Sequence, residues 1–424
     1  MIGSPVISSK PLSMKRNMVW NTAGSMTSLV CQWLITVLVV RIAGGYEAAG
    51  VYSLAVSVFG IFAPVAQYRM YTYQISDTRG ENTMGEYFTF RLVTDGIALV
   101  GCFVYSLFTC SIDAVPTIMI FGVYKCVSLL LDVLHACEQR HRRMDYLGIS
   151  MILQGVSSLG IFALVFWLTK NLNLTLVAMT AGYIVIAVAY DLPRSQQFEK
   201  LKLGIPIPKA WHLLTYCAPI VIGALLVAAA SSVPRQYLAF DMGEAALGIY
   251  ASVAAPVAVV QNGASYVYYP LIGYFADYYA ERNYKKLLGL FARVTGGITL
   301  VGVVCAILLE LFGVPLLELF FANNIAEYAY LLTPMIISAV IAAYLWFLSD
   351  LLIAIRDFRG NFIGNAVSLV VAVACMVPFV ATWGMNGVSF TVAASSLAGA
   401  VAMALSFVLK LRSSKADEPS EGAA

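Results

Sequence analysis

Charge is what this sequence has least of. Asp, Glu, Lys and Arg make up only 12% of its 424 residues, about half the share found in a soluble domain. The formal net charge is +3 and the basic residues are scattered, so the sequence holds no massed positive field for nucleic acid. Three histidines are present, and His135 and His141, which share one loop, do not make a metal site. Eight cysteines show no CxxC or other ligand spacing; most stand inside apolar runs, where Cys behaves as a small hydrophobe. No Walker motif occurs, so direct ATP hydrolysis is not expected as an energy source. Long polar segments are missing too, and no nucleophile–base spacing stands out. A membrane-embedded glycan polymerase or acyltransferase would need such a constellation, so the sequence does not read as an enzyme.

In place of charge there is apolar surface. Sixty per cent of the residues are hydrophobic and the mean hydropathy is +0.81. An α-helix needs roughly 20 apolar residues to cross about 30 Å of hydrocarbon. Twelve such segments are expected near 18–40, 48–69, 89–110, 115–137, 147–169, 172–191, 211–233, 247–270, 288–311, 327–352, 361–382 and 386–409. The first 17 residues are polar and basic, and the apolar stretch after them is full length with no small-residue cleavage site. It is therefore expected to be the first span, not a cleaved leader.

Lys and Arg alternate with this count. The N-terminus and the even-to-odd loops are basic (Lys15 and Arg16; Arg69 and Arg79; Arg140, Arg142 and Arg143; Arg194 to Lys209; Arg282, Lys285 and Lys286; Arg356 and Arg359; Lys410, Arg412 and Lys415), whereas the opposite loops hold only Arg41, Lys170 and Arg235. An error in the count would invert the pattern downstream, so both termini are expected on the cytoplasmic side.

A duplication organises the chain. Residues 45–53 read GYEAAGVYS, and 198 positions further on residues 243–251 read GEAALGIYA. Each copy lies at an external turn and follows an arginine, Arg41 or Arg235; Gly50 and Tyr52 answer Gly248 and Tyr250. Helix one therefore corresponds to helix seven, and two six-helix halves repeat in parallel about an axis along the membrane normal. A fainter match joins LDVLHACEQR (131–140) to SDLLIAIRDF (349–358). The expected architecture is all-α: a bundle over 1–195, a charged, proline-bearing linker over 196–210, a second bundle over 211–410 and a polar, disordered tail over 411–424. Two bundles without a large loop domain suit alternating access.

A charge inside a span costs on the order of 2.5–3.5 kcal/mol on insertion scales, which makes each one a functional candidate. Lys125 stands near the middle of helix four, with Asp132 two turns along the same face. Asp95 lies in helix three at similar depth, and Arg91, one turn earlier, can reach it. Two readings remain open. In one, Lys125 is a cationic anchor for a diphosphate or acidic sugar, tuned by Asp95 or Asp132, which also carry a coupling proton. In the other, Lys125 and an aspartate form an ion pair holding helices three and four together. Arg41 and Arg235 are expected near the outer mouth, snorkelling to the interface. Tyrosines gather in YRMYTY (68–73) and YVYYPLIGYFADYY (266–279) as interfacial belts, and prolines at 64, 219, 256 and 334 permit kinks.

The stretch NTAGSMTSLVCQWLITVLVVRIAGGYEAAGVYSLAVSV, with QYRMYTYQISD (67–77), HACEQRHRRMDYLG (135–148) and RQYLAFDMGEAALGIYASV, resembles the polysaccharide-transport branch of the multidrug/oligosaccharidyl-lipid/polysaccharide exporter superfamily. That branch includes the Wzx-type O-antigen and capsule flippases of lipopolysaccharide and capsule biosynthesis. The resemblance implies a multi-pass protein of the bacterial plasma membrane whose substrate is a polyprenyl-diphosphate-linked oligosaccharide, moved to the outer face. It also implies glycan-assembly proteins such as a polymerase as partners, no cofactor, and the coupling to a proton or sodium gradient that is common among relatives. Members that flip the peptidoglycan precursor have fourteen spans, two more than here. A small-molecule exporter of the same fold, for a drug, metabolite or lipid, is the alternative.

Overall fold

In a bilayer each backbone N–H and C=O must be satisfied within the chain, which leaves helices as the solution for apolar runs of this length. The computed structural model describes residues 11–77, 80–321 and 325–416, and among these no strand occurs. All twelve expected spans are helices long and apolar enough to cross a membrane. They are α1 (Met14–Ala43), α2 (Glu47–Gln67), α3 (Met84–Thr109), α4 (Val115–Arg140), α5 (Met144–Thr169), α6 (Leu172–Ile186, whose span continues to Ser195), α7 (Ile207–Met242), α8 (Glu244–Tyr268), α9 (Tyr284–Phe320), α10 (Leu332–Ala354), α11 (Phe358–Trp383) and α12 (Met385–Ala416). Several overrun their apolar cores: α7 and α9 extend for 36 and 37 residues. Helix α12 continues through the first residues assigned to the tail, and 417–424 lie outside the described residues.

The helix ends follow from local chemistry. After α4, Arg142 adopts φ 57°, its N–H bonds Gln139 O at 2.9 Å, and the Arg143 N–H bonds Glu138 O at 3.0 Å. This pair of bonds is a Schellman cap, which satisfies the last carbonyls of a helix. The same cap recurs after the short helix Ile272–Ala280, where Arg282 has φ 57°, and after α10, where Arg356 has φ 58°. The fainter sequence match thus ends in a shared turn, although aligning Arg142 with Arg356 shifts its register by one helical turn. Lys170, also left-handed at φ 53°, closes α5, and Asn171 caps α6 by accepting from the Leu174 N–H at 3.0 Å. Helices α2 and α8 correspond at their far ends too. Helix α2 breaks at Tyr68 and Arg69 and resumes as Met70–Ser76, while α8 passes through a 3-10 turn, Tyr269–Leu271, into Ile272–Ala280.

Two compact units emerge, one of Met1–Gly44 with Val58–Ile222, the other of Gly45–Ser57 with Gly223–Ala424. In the first, α1 and α5 meet along a seam of small residues: a Cβ on Gly24 would lie 2.8 Å from Gly148 Cα. Lipid offers no hydrophobic drive between helices, so close backbone approach of this kind supplies the dispersion contact. The second unit has an aromatic core in which Tyr268, Phe275 and Phe347 are fully buried.

The second unit also explains the duplication. The first turns of α2 and α8 cross with their backbones in contact. A Cβ on Gly50 would sit 1.7 Å from Glu244 O, and one on Gly248 would sit 2.0 Å from Tyr46 O and 2.8 Å from Gly50 N. The contact is reciprocal, each copy of the turn supplying the glycine that admits the other. Sequence reading assigned this motif to a turn; its structural content is a crossing.

Candidate functional site

The first unit encloses a polar cavity of about 420 Å³, within the usual size of small-ligand sites. Helix periodicity builds it. On α1, Asn21, Ser25, Ser28 and Gln32 fall at steps of four, three and four, so one face of an apolar helix is polar. Helix α4 contributes Ser128, Asp132 and His135, so that His135 stands in the helix and not in the loop expected for it with His141, and α5 contributes Leu147, Met151 and Gln154, each set at i, i+4 and i+7. Arg91 enters from α3, Tyr183 from α6, and Gln67, Arg69, Tyr71 and Thr72 from the break after α2.

Arg91 organises the wall between α2, α3 and α4. Its side chain is 1% exposed, and its guanidinium donates to Gln67 O, to Leu129 O at 3.2 Å and to Asp132 Oδ2 at 3.4 Å. Thr94, one turn on, donates to Ala66 O at 3.0 Å. The left-handed break at Tyr68 and Arg69 frees those α2 carbonyls, and α3 side chains take the place of the missing helical donors. An unsatisfied carbonyl in hydrocarbon would cost several kcal/mol. Asp132 keeps 37% of its side chain exposed and faces the cavity.

The ion pair joining α3 to α4 is therefore made by Arg91 with Asp132, not by Lys125. Lys125 Nζ instead lies 5.6 Å from the Phe121 ring centroid and 5.5 Å from that of Tyr124. It shares a face of α4 with Ser128, Asp132 and His135 but does not line the cavity. Asp95 is buried, 4% exposed, with the Cys126 thiol of α4 beside its carboxylate. Arg41 and Arg235 are exposed near the ends of α1 and α7. Gly50 and Gly248 form the crossing above. Tyr250 is buried and shares a hydrogen bond with Ser389 at 2.9 Å, and Tyr52 is half-buried.

Two groups of residues escaped sequence reading. The α1 stripe consists of uncharged residues, each unremarkable alone, and only its 3.6-residue period marks it. The other group is a polar layer beneath the cavity. His135 Nε2 lies 3.1 Å from Ser150 Oγ and 3.6 Å from Asp191 Oδ1, Gln154 donates to Ser150 at 2.8 Å, and Ser195 donates to Glu138 at 3.2 Å. Asp191 and Glu138 are both 0% exposed. Asp191 ends a π-helical stretch, Ala187–Asp191, that continues α6; such bulges recur at functional sites. The apolar spans of α4 and α6 had hidden these acids at their edges. Among the described residues no cluster of His, Cys, Asp and Glu is placed to hold a metal ion.

No family model matches the chain. A solved inward-facing MATE multidrug resistance transporter of the MOP superfamily superposes with a TM-score of 0.70, covering 95% of this chain and all of that one at 15% identity. The lipid II flippase MurJ, in an inward closed conformation, gives 0.71, with 93% and 89% covered at 12% identity. The fold is that of the MOP transporters. Among curated proteins, the capsular polysaccharide biosynthesis protein CapF of Staphylococcus aureus is 24% identical over 326 residues, 74% of this chain and 79% of CapF. These two solved structures are a transporter and a flippase, not enzymes, and twelve helices long and apolar enough to cross a membrane make the chain a multi-pass membrane protein.

Proposed function

We propose that this chain is a flippase that carries a polyprenyl-diphosphate-linked oligosaccharide across the plasma membrane during surface polysaccharide synthesis. The observation that carries the reading is the polar cavity inside the membrane bundle, where Arg69, Arg91 and His135 stand among hydroxyl and amide side chains. A diphosphate is recognised by guanidinium groups and a sugar by Ser, Asn and Gln. The similarity to a capsule biosynthesis protein supports the same substrate class. The basic even-to-odd loops support a cytoplasmic position for both termini and for the mouth of the cavity. In this reading the headgroup enters the cavity, the isoprenoid tail stays in lipid, and the protein alternates access between faces, driven by a proton or sodium gradient. Asp95 and Asp132 are the candidate coupling carboxylates. A glycan polymerase is the expected downstream partner.

Depleting the protein and extracting polyprenyl-diphosphate glycans tests the reading. Complete units should accumulate on the cytoplasmic face, and Arg69→Ala should fail to relieve them. A second reading, export of a small molecule, draws on the multidrug transporters that share the fold. Unchanged surface glycan with no accumulation would favour it and remove the first.

A further inference from the structure

Lys125 is a cation without a salt bridge among the described residues; its nearest carboxylate influence, Asp132, lies two turns along α4 and is paired with Arg91. It stands ten residues into α4 from Val115 and fifteen before Arg140, roughly 15 Å or more from either helix end at 1.5 Å per residue. Snorkelling to a membrane surface is out of reach at that depth. The ion pairs of the described residues do not include it: Asp132, the carboxylate on its own helix face, is engaged by Arg91. Its charge rests on the faces of two rings, Phe121 and Tyr124. A ring quadrupole offsets part of the cost of such a charge, and a full anion offsets much more.

The rings around Lys125 lead to the cavity. Tyr124 meets Tyr183 of α6 edge-on at 5.1 Å between centroids, and Tyr183 lines the cavity. Phe121 packs on Tyr124 at 6.0 Å and on Phe59 at 6.3 Å. Ser128, less than one turn from Lys125 on the same face, is a cavity residue. The cation therefore adjoins the cavity wall: it shares its helix face with Ser128, and Tyr124 beside it contacts the cavity residue Tyr183.

We infer that Lys125 is a second anion station, for the diphosphate of the transported headgroup, shut off from the cavity by the Tyr124–Tyr183 pair. The inference rests on the flippase reading and adds to it an order of events. The headgroup first binds in the Arg69 and Arg91 cavity; the ring pair then parts, and the diphosphate displaces the two rings from Lys125. The cation–π cradle holds Lys125 in place while the station is closed. Tyr183 is a positioning residue that controls access to it.

Binding of inorganic pyrophosphate to the purified full-length protein, measured by calorimetry, separates the two stations. With Tyr183 intact, Lys125→Met should change the pyrophosphate Kd less than twofold. In a Tyr183→Ala background the station is open, and the same substitution should weaken binding tenfold or more. In cells, Lys125→Met should cut surface glycan at least tenfold and Lys125→Arg should restore it, which a role confined to packing would not predict. That readout stands on its own if Tyr183→Ala does not fold. Equal loss in both backgrounds would place Lys125 in the cavity already, and no loss in either would deny the station; both overturn the inference. A wild type that binds pyrophosphate under either of those outcomes leaves the flippase reading standing, whereas a wild type that binds none, together with unchanged surface glycan on depletion, removes both.

Discussion

At the residue scale, the loop entering α3 shows how this chain keeps a charge where it is wanted. Asp77 is 7% exposed, and burial by itself would raise its carboxyl. The Glu81 and Asn82 N–H groups donate to it at 2.9 and 3.1 Å and the Tyr87 hydroxyl at 2.9 Å, and together they hold it below the ordinary carboxylate value. Stability from such a group is present above its unfolded value and is lost as pH falls through the lower folded value. A thermal-melt series in detergent from about pH 6 to about pH 3 should therefore show a loss of stability below about pH 4 that Asp77→Asn removes. A wild-type profile unchanged by Asp77→Asn would contradict the assignment. Truncating Arg91 to Ala should lower stability in a detergent thermal melt by about 1–3 kcal/mol, because two carbonyls lose their donor, while Asp132, 37% exposed, remains partly solvated. Charges such as Arg91, Asp95, Lys125 and Asp132 were legible in the sequence because they are conspicuous in apolar runs. Their pairing was not, since it depends on the break after α2 that turns freed carbonyls toward Arg91. The serines and asparagine of α1 were passed over because each costs little in a helix on its own.

At the element scale, the crossing of α2 and α8 is the most constrained feature. The α-helical geometry that places Gly50 against Glu244 O also places Gly248 against Tyr46 O, so a methyl group at either site must push two backbones apart. Gly50→Ala should cost about 1–3 kcal/mol, in the range of overpacked cores. Adding Gly248→Ala should cost less than the sum, since both substitutions open one crossing. Thermal or denaturant unfolding of the two single variants and the double variant measures this; full additivity would mean that the two glycines act at separate places. The duplicated glycine was plain in the sequence. Its partner was the other copy of the same turn, which no local pattern announces. The three left-handed arginines that close α4, Ile272–Ala280 and α10 were likewise hidden, because glycine is the usual signal for that cap. Here the cap position is filled by the residue that also gives those loops their positive charge.

At the scale of the whole molecule, apolar runs of span length and alternating basic loops were sufficient to read twelve helices. Period, length and charge are additive signals that need no tertiary contact. The cavity needed the fold, since its lining comes from five helices and from the break after α2. A bilayer-embedded bundle with a polar, arginine-bearing interior is suited to moving a polar headgroup whose tail remains in lipid. That claim is tested most directly by reconstituting the purified protein in vesicles containing a polyprenyl-diphosphate glycan initially confined to the inner leaflet, and following its exposure to an impermeant glycosidase outside. The account predicts exposure that depends on the protein and falls about tenfold, some 1.4 kcal/mol, in Arg69→Ala. Exposure no faster than in protein-free vesicles, under both proton and sodium gradients, would contradict it.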